Sequence, residues 1–298
     1  MFAEPASSKA TTPRWRDHIW WSADGVRLHA RIYDAAQSSG KLPILCIPGL
    51  TRNARDFDQL APRLAATRTV YAIDIRGRGT SGYAKDAMRY TPLTYLQDVS
   101  ILLDELALDR FISIGTSLGG LVTMLIAATQ RGRLAGAVLN DVGPEIDPAG
   151  LDRIKSYVGQ RADFPTWVHA ARAIAAANAP VYPDWGLEDW LVMAKRTHRQ
   201  TPEGRIVPDY DANIALPFKQ SGGEAGVDMW PAFDAMKTVP TLVLRGALSD
   251  ILSAETAKAM VARLDDARLV TVPRVGHAPT LDEPVAVAAI EKLVASVA

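Results

Sequence analysis

The chain has 298 residues, 48% of them apolar, with 33 Lys and Arg balanced by 33 Asp and Glu and a single cysteine. That balance excludes a disordered chain, and one cysteine excludes an internal disulfide scaffold, so a reducing, cytoplasmic setting is expected. Zero net charge, no apolar run long enough to span a bilayer, and no CxxC, HExxH or EF-hand spacing exclude nucleic-acid, membrane and metal readings.

Residues 1–16 read as a polar lead-in without the apolar stretch of a secretory signal. RDHIWWSADG (16–25) and VRLHARIYD (26–34) predict two antiparallel strands turning near Asp24-Gly25. Short apolar runs rich in β-branched residues follow: LPILCIPG, TVYAIDIRG, RFISIGTSLGG, AGAVLNDVGP, PTLVLRGALSD and RLVTVPRVGH. They alternate with stretches of helical spacing such as DFDQLAPRLAAT, PLTYLQDVSILLDELA, SAETAKAMVARL and PVAVAAIEKLVASV. Continuous apolar strands between helices predict an α/β fold, a mostly parallel sheet of about eight strands with helices on both faces.

The rhythm breaks at 144–231, where GLDRIKSYVG, TWVHAARAIAAAN and LEDWLVMAKRTHR predict helices and TPEGRIVPDYDANIALPF is irregular. This is a helical insertion, which divides the chain into a core of 17–143 and 232–298 and a lid of 144–231. The insertion holds four of the seven tryptophans: Trp167, Trp185, Trp190 and Trp230. With Tyr157 and Phe164 they are candidates for an apolar substrate pocket, against the alternative that they pack the lid onto the body.

Chemistry concentrates in Gly115-Thr116-Ser117-Leu118-Gly119, a G-x-S-x-G between a predicted strand and a predicted helix. A sharp turn there raises the serine hydroxyl at the sheet edge, and the flanking glycines avoid collisions. A serine needs a base, and the base needs an orienting partner. His277 follows the last predicted strand, and it alone of five histidines is so placed; His18 and His29 fall on the leading strands, His169 and His198 on insert helices. Asp250 is the expected acid, in a short loop after its strand, with Asp141 at the end of the preceding strand as the alternative. Two backbone N–H donors for an oxyanion are expected at Leu50, after Pro48-Gly49, and at Leu118. Arg52 and Arg55 stand beside that loop, where they could meet a substrate carboxylate or simply be solvated.

Together GTSLGG, Asp250, GHAPTLDEP and the turn Asp74-Ile75-Arg76-Gly77-Arg78-Gly79-Thr80-Ser81 resemble the α/β-hydrolase superfamily, specifically its cap-bearing serine hydrolases. The resemblance implies an eight-stranded sheet, a helical lid and cofactor-free acyl chemistry on a small ester or lactone. Carbon–carbon bond cleavage, acyl transfer, or a receptor without turnover are the alternatives. Where many members carry His-Gly at the oxyanion loop this chain has Pro48-Gly49, so the loop must be held by other hydrogen bonds. Gly77-Arg78-Gly79-Thr80-Ser81-Gly82 also matches G-x-G-x-x-G, but no apolar helix follows it, which argues against a dinucleotide site.

Overall fold

A computed structural model describes residues 14–37, 40–219 and 228–298. In chain order the strands are β1 (Arg16–Trp21), β2 (Arg27–Tyr33), β3 (Ile44–Ile47), β4 (Val70–Asp74), β5 (Phe111–Thr116), β6 (Leu134–Asn140), β7 (His198–Gln200), β8 (Ile206–Pro208), β9 (Thr241–Gly246) and β10 (Ala267–Val272). The helices are α1 (Leu60–Leu64), α2 (Pro92–Glu105), α3 (Leu118–Thr129), α4 (Pro148–Tyr157), α5 (Trp167–Asn178), α6 (Leu187–Thr197), α7 (Ala215–Lys219), α8 (Trp230–Asp234), α9 (Ala254–Arg263) and α10 (Pro284–Ser296).

Eight strands make one sheet in the order β1-β2-β4-β3-β5-β6-β9-β10. β2 runs against both neighbours and every other pair is parallel. The period-two alternation of strands explains the two-sided core. In β3, Leu45 and Ile47 join one apolar cluster with α2 and α3, while Ile44 and Cys46 join the other with α1 and α10. Burial on both faces is why these strands read as continuous apolar runs.

The hairpin expected at Asp24-Gly25 forms, with Gly25 at φ +75°. Its Asp24 then anchors the turn after β4. Arg76, 1% exposed in its side chain, donates to both Asp24 oxygens at 2.9 Å and both Asp98 oxygens at 2.6 Å. Three elements are thereby held by one guanidinium whose charge is paired as well as hydrogen-bonded.

Two local expectations need correction. DFDQLAPRLAAT (56–67) holds only the end of a 3-10 turn, Ala54–Phe57, and then the short α1, because Asn53 caps the turn and closes it separately. His198, expected on a helix, begins β7, which pairs with β8 in a two-stranded hairpin separate from the main sheet. Strands of three residues carrying Arg199 and Gln200 have no apolar run to betray them. The segment between β6 and β9 supplies α4, α5 and α6, as the helical spacing predicts, and also the five-residue helices α7, at the end of the stretch read as irregular, and α8, which are too short to give a spacing pattern.

Candidate active site

The ends of β5, β6 and β9 and the loop after β10 meet at one edge of the sheet. Ser117 sits between β5 and α3 at φ +52°, ψ −116°, a strained conformation for a residue with a side chain. Both glycines of the motif are sterically required. A Cβ at Gly115 would lie 2.4 Å from the Gly119 carbonyl oxygen, and one at Gly119 would lie 2.1 Å from that of Ile47. The Ser117 N–H donates to the Asn140 carbonyl at 2.9 Å, fastening the turn to the neighbouring strand.

His277 reaches back over this edge. Its Nε2 accepts from the Ser117 hydroxyl at 3.0 Å, and its Nδ1 donates to Asp141 Oδ2 at 2.8 Å. Asp141 directly follows β6 at φ +57°, which turns its fully buried carboxylate along the edge. Two further donors hold it: the Gly246 N–H to Oδ1 at 2.8 Å and the Ser249 hydroxyl to Oδ2 at 2.6 Å. Asn140 Nδ2 donates to the Pro279 carbonyl at 2.9 Å, tying β6 to the His277 loop.

Asp250 is not the partner of His277, contrary to the expectation. It lies four residues past β9, and its carboxylate turns to Arg153 of α4, at 2.5 and 2.8 Å. The deciding contact comes from the insertion: Arg153 occupies the carboxylate, while Asp141 is held by the end of β9 itself. Asp141, the alternative, therefore contacts the histidine.

The Gly49 turn lies against the Ser117 turn, since a Cβ there would be 3.6 Å from Ser117 Cβ. Neither the Leu50 nor the Leu118 N–H has an acceptor among the described residues, so both remain free to donate at this edge. Of the two arginines beside the loop, Arg55 is committed elsewhere. It donates to the Arg196 and His198 carbonyls and pairs with Asp209 at 2.6 Å. Arg52 is paired with both oxygens of Asp56 at 2.7 to 3.1 Å.

The insertion's aromatics divide. Trp185 stacks on Tyr182 with ring centres 3.9 Å apart and meets the edge of Trp190 at 4.7 Å. The Tyr182 hydroxyl donates to the carbonyl of Ala278, next to His277, at 2.6 Å. Tyr157 is 39% exposed, and burial pushes its hydroxyl up, with Arg153 and Arg52 pulling it back. Trp190 is buried in one of the core clusters, and Trp167 and Trp185 are partly buried against it. Trp230 has its Nε1 donating to Glu145, at the start of the same segment, at 2.6 Å, and Arg263 of α9 lies over its ring at 4.2 Å. Phe164 pairs with Ile206 at the β7–β8 hairpin and tilts against His198. Sequence reasoning missed Ser249, Asn140, Tyr182 and Arg153; only the position of Asn140 beside Asp141 was a signal.

The model of the alpha/beta hydrolase family matches residues 44–290. The chain belongs to the α/β-hydrolase family. A crystal structure of an α/β hydrolase from Novosphingobium aromaticivorans matches this α/β-hydrolase with a TM-score of 0.91 at 54% identity, covering 96% of this chain and 99% of that one. The 3-hydroxybutyrate-oligomer hydrolase of Cupriavidus necator is 35% identical over 252 residues, 82% of this chain and 85% of the relative. The 2-(acetamidomethylene)succinate hydrolase of Mesorhizobium japonicum is 28% identical over 242 residues, 81% of this chain and 83% of that one. The chain is a hydrolase of this family.

Proposed function

We propose that this α/β-hydrolase cleaves carboxylic esters through Ser117, His277 and Asp141. The observation that carries the reading is the unbroken relay from the Ser117 hydroxyl through His277 to Asp141, with distances of 3.0 and 2.8 Å. His277 Nε2 takes the Ser117 proton as Oγ attacks the carbonyl carbon, and the imidazolium returns that proton to the leaving alcohol. Water, deprotonated by the same nitrogen, then attacks the acyl-enzyme and frees Ser117 and the acid. Asp141 fixes the tautomer with the proton on Nδ1 and stabilises the imidazolium that forms. The Leu50 and Leu118 N–H groups stabilise the oxyanion of each tetrahedral intermediate.

Residues 144–231 act as a cap over the edge where the relay lies. Support comes from contacts at both sides of the site: Arg153 with Asp250, and Tyr182 with Ala278. Of the candidate pocket residues, the partly buried Trp167 and Trp185 and the exposed Tyr157 stay as wall residues, whereas Trp190, buried in the core cluster, and Trp230, held by Glu145 and Arg263, are assigned to packing. The buried, free Cys46 beside the Pro48-Gly49 turn fits a reducing, cytoplasmic setting.

The relative named for 3-hydroxybutyrate oligomers favours a hydroxy-acid ester, in which the hydroxyl of one unit is acylated by the next. A panel of p-nitrophenyl esters, hydroxybutyrate dimers and trimers, lactones and dienoate diketones tests the reading. Turnover of the linear esters, abolished together with fluorophosphonate labelling in Ser117→Ala, is expected. Turnover confined to the diketones, or labelling retained in Ser117→Ala, overturns it.

A further inference from the structure

The Leu50 peptide follows Pro48-Gly49, and Pro48 offers neither an N–H nor a polar side chain to hold it. Something else must fix the direction of the Leu50 N–H. The carbonyl of Gly49, in the same peptide, accepts from the Arg52 N–H at 3.1 Å. The carbonyl of Leu50 itself accepts from Arg78 Nε at 2.8 Å. These two bonds pin the peptides on either side of the Leu50 Cα.

Arg78 is an expensive residue for this task. It is fully buried, and among the described residues its hydrogen-bond acceptors are carbonyls and a hydroxyl, with no carboxylate. Its Nη1 donates to the Arg76 carbonyl at 2.6 Å and to the Tyr95 hydroxyl at 3.1 Å, and its guanidinium carbon lies 5.0 Å from the centre of the Tyr95 ring and 5.6 Å from that of Tyr90. Nη2 has no acceptor among the described residues. A buried cation held by neutral acceptors and ring faces costs more than an apolar side chain of the same volume, so packing alone does not account for it. Among the described residues, the one contact it makes at the site is the Leu50 carbonyl. The G-x-G-x-x-G turn explains how it gets there. Gly77 at φ +77° and Gly79 at φ +55° flank Arg78, and Gly79 leaves no space for a Cβ against the Asp74 carboxylate. The motif that looked like a dinucleotide fingerprint is the mount for this arginine.

We infer that Arg78 is the positioning residue of the oxyanion hole: its hydrogen bond to the Leu50 carbonyl holds the Leu50 N–H toward Ser117. The inference rests on the ester-hydrolase reading above. It requires that loss of Arg78 weaken the transition state and leave ground-state binding unchanged. In Arg78→Gln and Arg78→Lys, kcat for a p-nitrophenyl ester falls about 10- to 100-fold with KM within twofold. Affinity for a trifluoromethyl ketone, which adds to a serine to form an oxyanion, falls by the same factor, while affinity for the product acid is unchanged. Melting followed by circular dichroism checks that the variants fold. If neither folds, Tyr95→Phe, which removes one acceptor of the guanidinium, decides: kcat falls several-fold at constant KM.

A folded Arg78 variant with kcat within twofold of the parent overturns the inference. So does loss of product affinity in step with kcat, which marks a general collapse of the pocket, or an unchanged kcat in Tyr95→Phe where the Arg78 variants do not fold. Ser117→Ala separates the two readings. Turnover surviving in Ser117→Ala sinks the nucleophile assignment, whereas a dead Ser117→Ala beside a fully active Arg78→Gln sinks only the role of Arg78.

Discussion

His277 Nδ1 lies 2.8 Å from Asp141 Oδ2, although a second carboxylate, Asp250, stands on the neighbouring loop within electrostatic reach of the same imidazole. Burial opposes ionisation of Asp250, but its pairing with Arg153 outweighs this and keeps its carboxyl below the usual range. Asp250 is thus a charged spectator, and the two acids must respond differently to loss of charge. Asp141→Asn should lower kcat by about 10³- to 10⁴-fold, because an amide in that place favours the wrong histidine tautomer. Asp250→Asn should change kcat less than about threefold and cost about 1 kcal/mol or less, since that ion pair is partly exposed. Steady-state kinetics on a p-nitrophenyl ester with urea melts of both variants check this; the reverse ranking would restore Asp250 as the acid.

That reversal of rank also marks where the sequence stops being informative. Ser117 and His277 are legible because the elbow is local, and a histidine after the last strand has one edge to return to. The acid is not local. β6 and β9 are adjacent in the sheet and both end in a loop carrying an aspartate, so chain order fits either. The choice turns on Arg153, which lies 97 positions from Asp250 and belongs to the irregular insertion. The eight-stranded sheet is legible because its central strands are buried on both faces, whereas the β7–β8 hairpin is too short and too polar to give a pattern. Trp230 misleads for a related reason. Its indole is an apolar ring system with one donor, and Glu145 at the start of the insertion takes that donor as well as a ligand could.

The glycines of the elbow predict a steep steric asymmetry. Gly119→Ala places a methyl 2.1 Å from the backbone oxygen of Ile47, which cannot rotate away, so β3 and α3 must separate. A loss of more than about 3 kcal/mol and of all ester turnover is expected. Gly132→Ala has no atom within 4 Å and suffers only from its φ of +86°, so it should cost about 1 kcal/mol and keep full activity. Thermal melts of the two variants side by side check the contrast, and equal shifts would contradict it.

His29 gives a pH dependence of one sign. It is buried between Asp74, 2.8 Å from Nδ1, and Asp17, 2.8 Å from Nε2. Burial opposes its charge, but the two carboxylates outweigh it and raise the imidazole above its ordinary value. A base raised on folding binds its proton more tightly in the folded chain, so its contribution is complete below the unfolded value of about 6.5 and fades as pH climbs through the folded one. The urea midpoint of the parent relative to His29→Gln should therefore be highest near pH 5.5 and narrow toward pH 8.5. Asp74 also accepts from the Ala54 N–H at 2.8 Å, just past the Leu50 loop, so the same rise in pH should loosen that loop and raise its amide exchange.

His198 gives the opposite sign. It is 9% exposed at the start of β7, against Phe164, and burial, reinforced by the nearby charge of Arg55, lowers it to about 4. A base depressed on folding stays neutral in the folded chain while the unfolded chain takes up a proton. Its contribution is present above the unfolded value of about 6.5 and is lost as pH falls toward 4. At pH 5.5 the loss amounts to about 1 kcal/mol, and it grows further below. His198→Gln carries no such proton, so the difference in urea midpoint between parent and variant should shift by that amount between pH 7.5 and 5.5. Arg55 donates to the His198 carbonyl and to Asp209, so the parent's β7–β8 hairpin should be the first part of the insertion to exchange its amides as pH falls. A difference that stays flat with pH would mean that the folded chain accepts the proton at His198 as readily as the unfolded one.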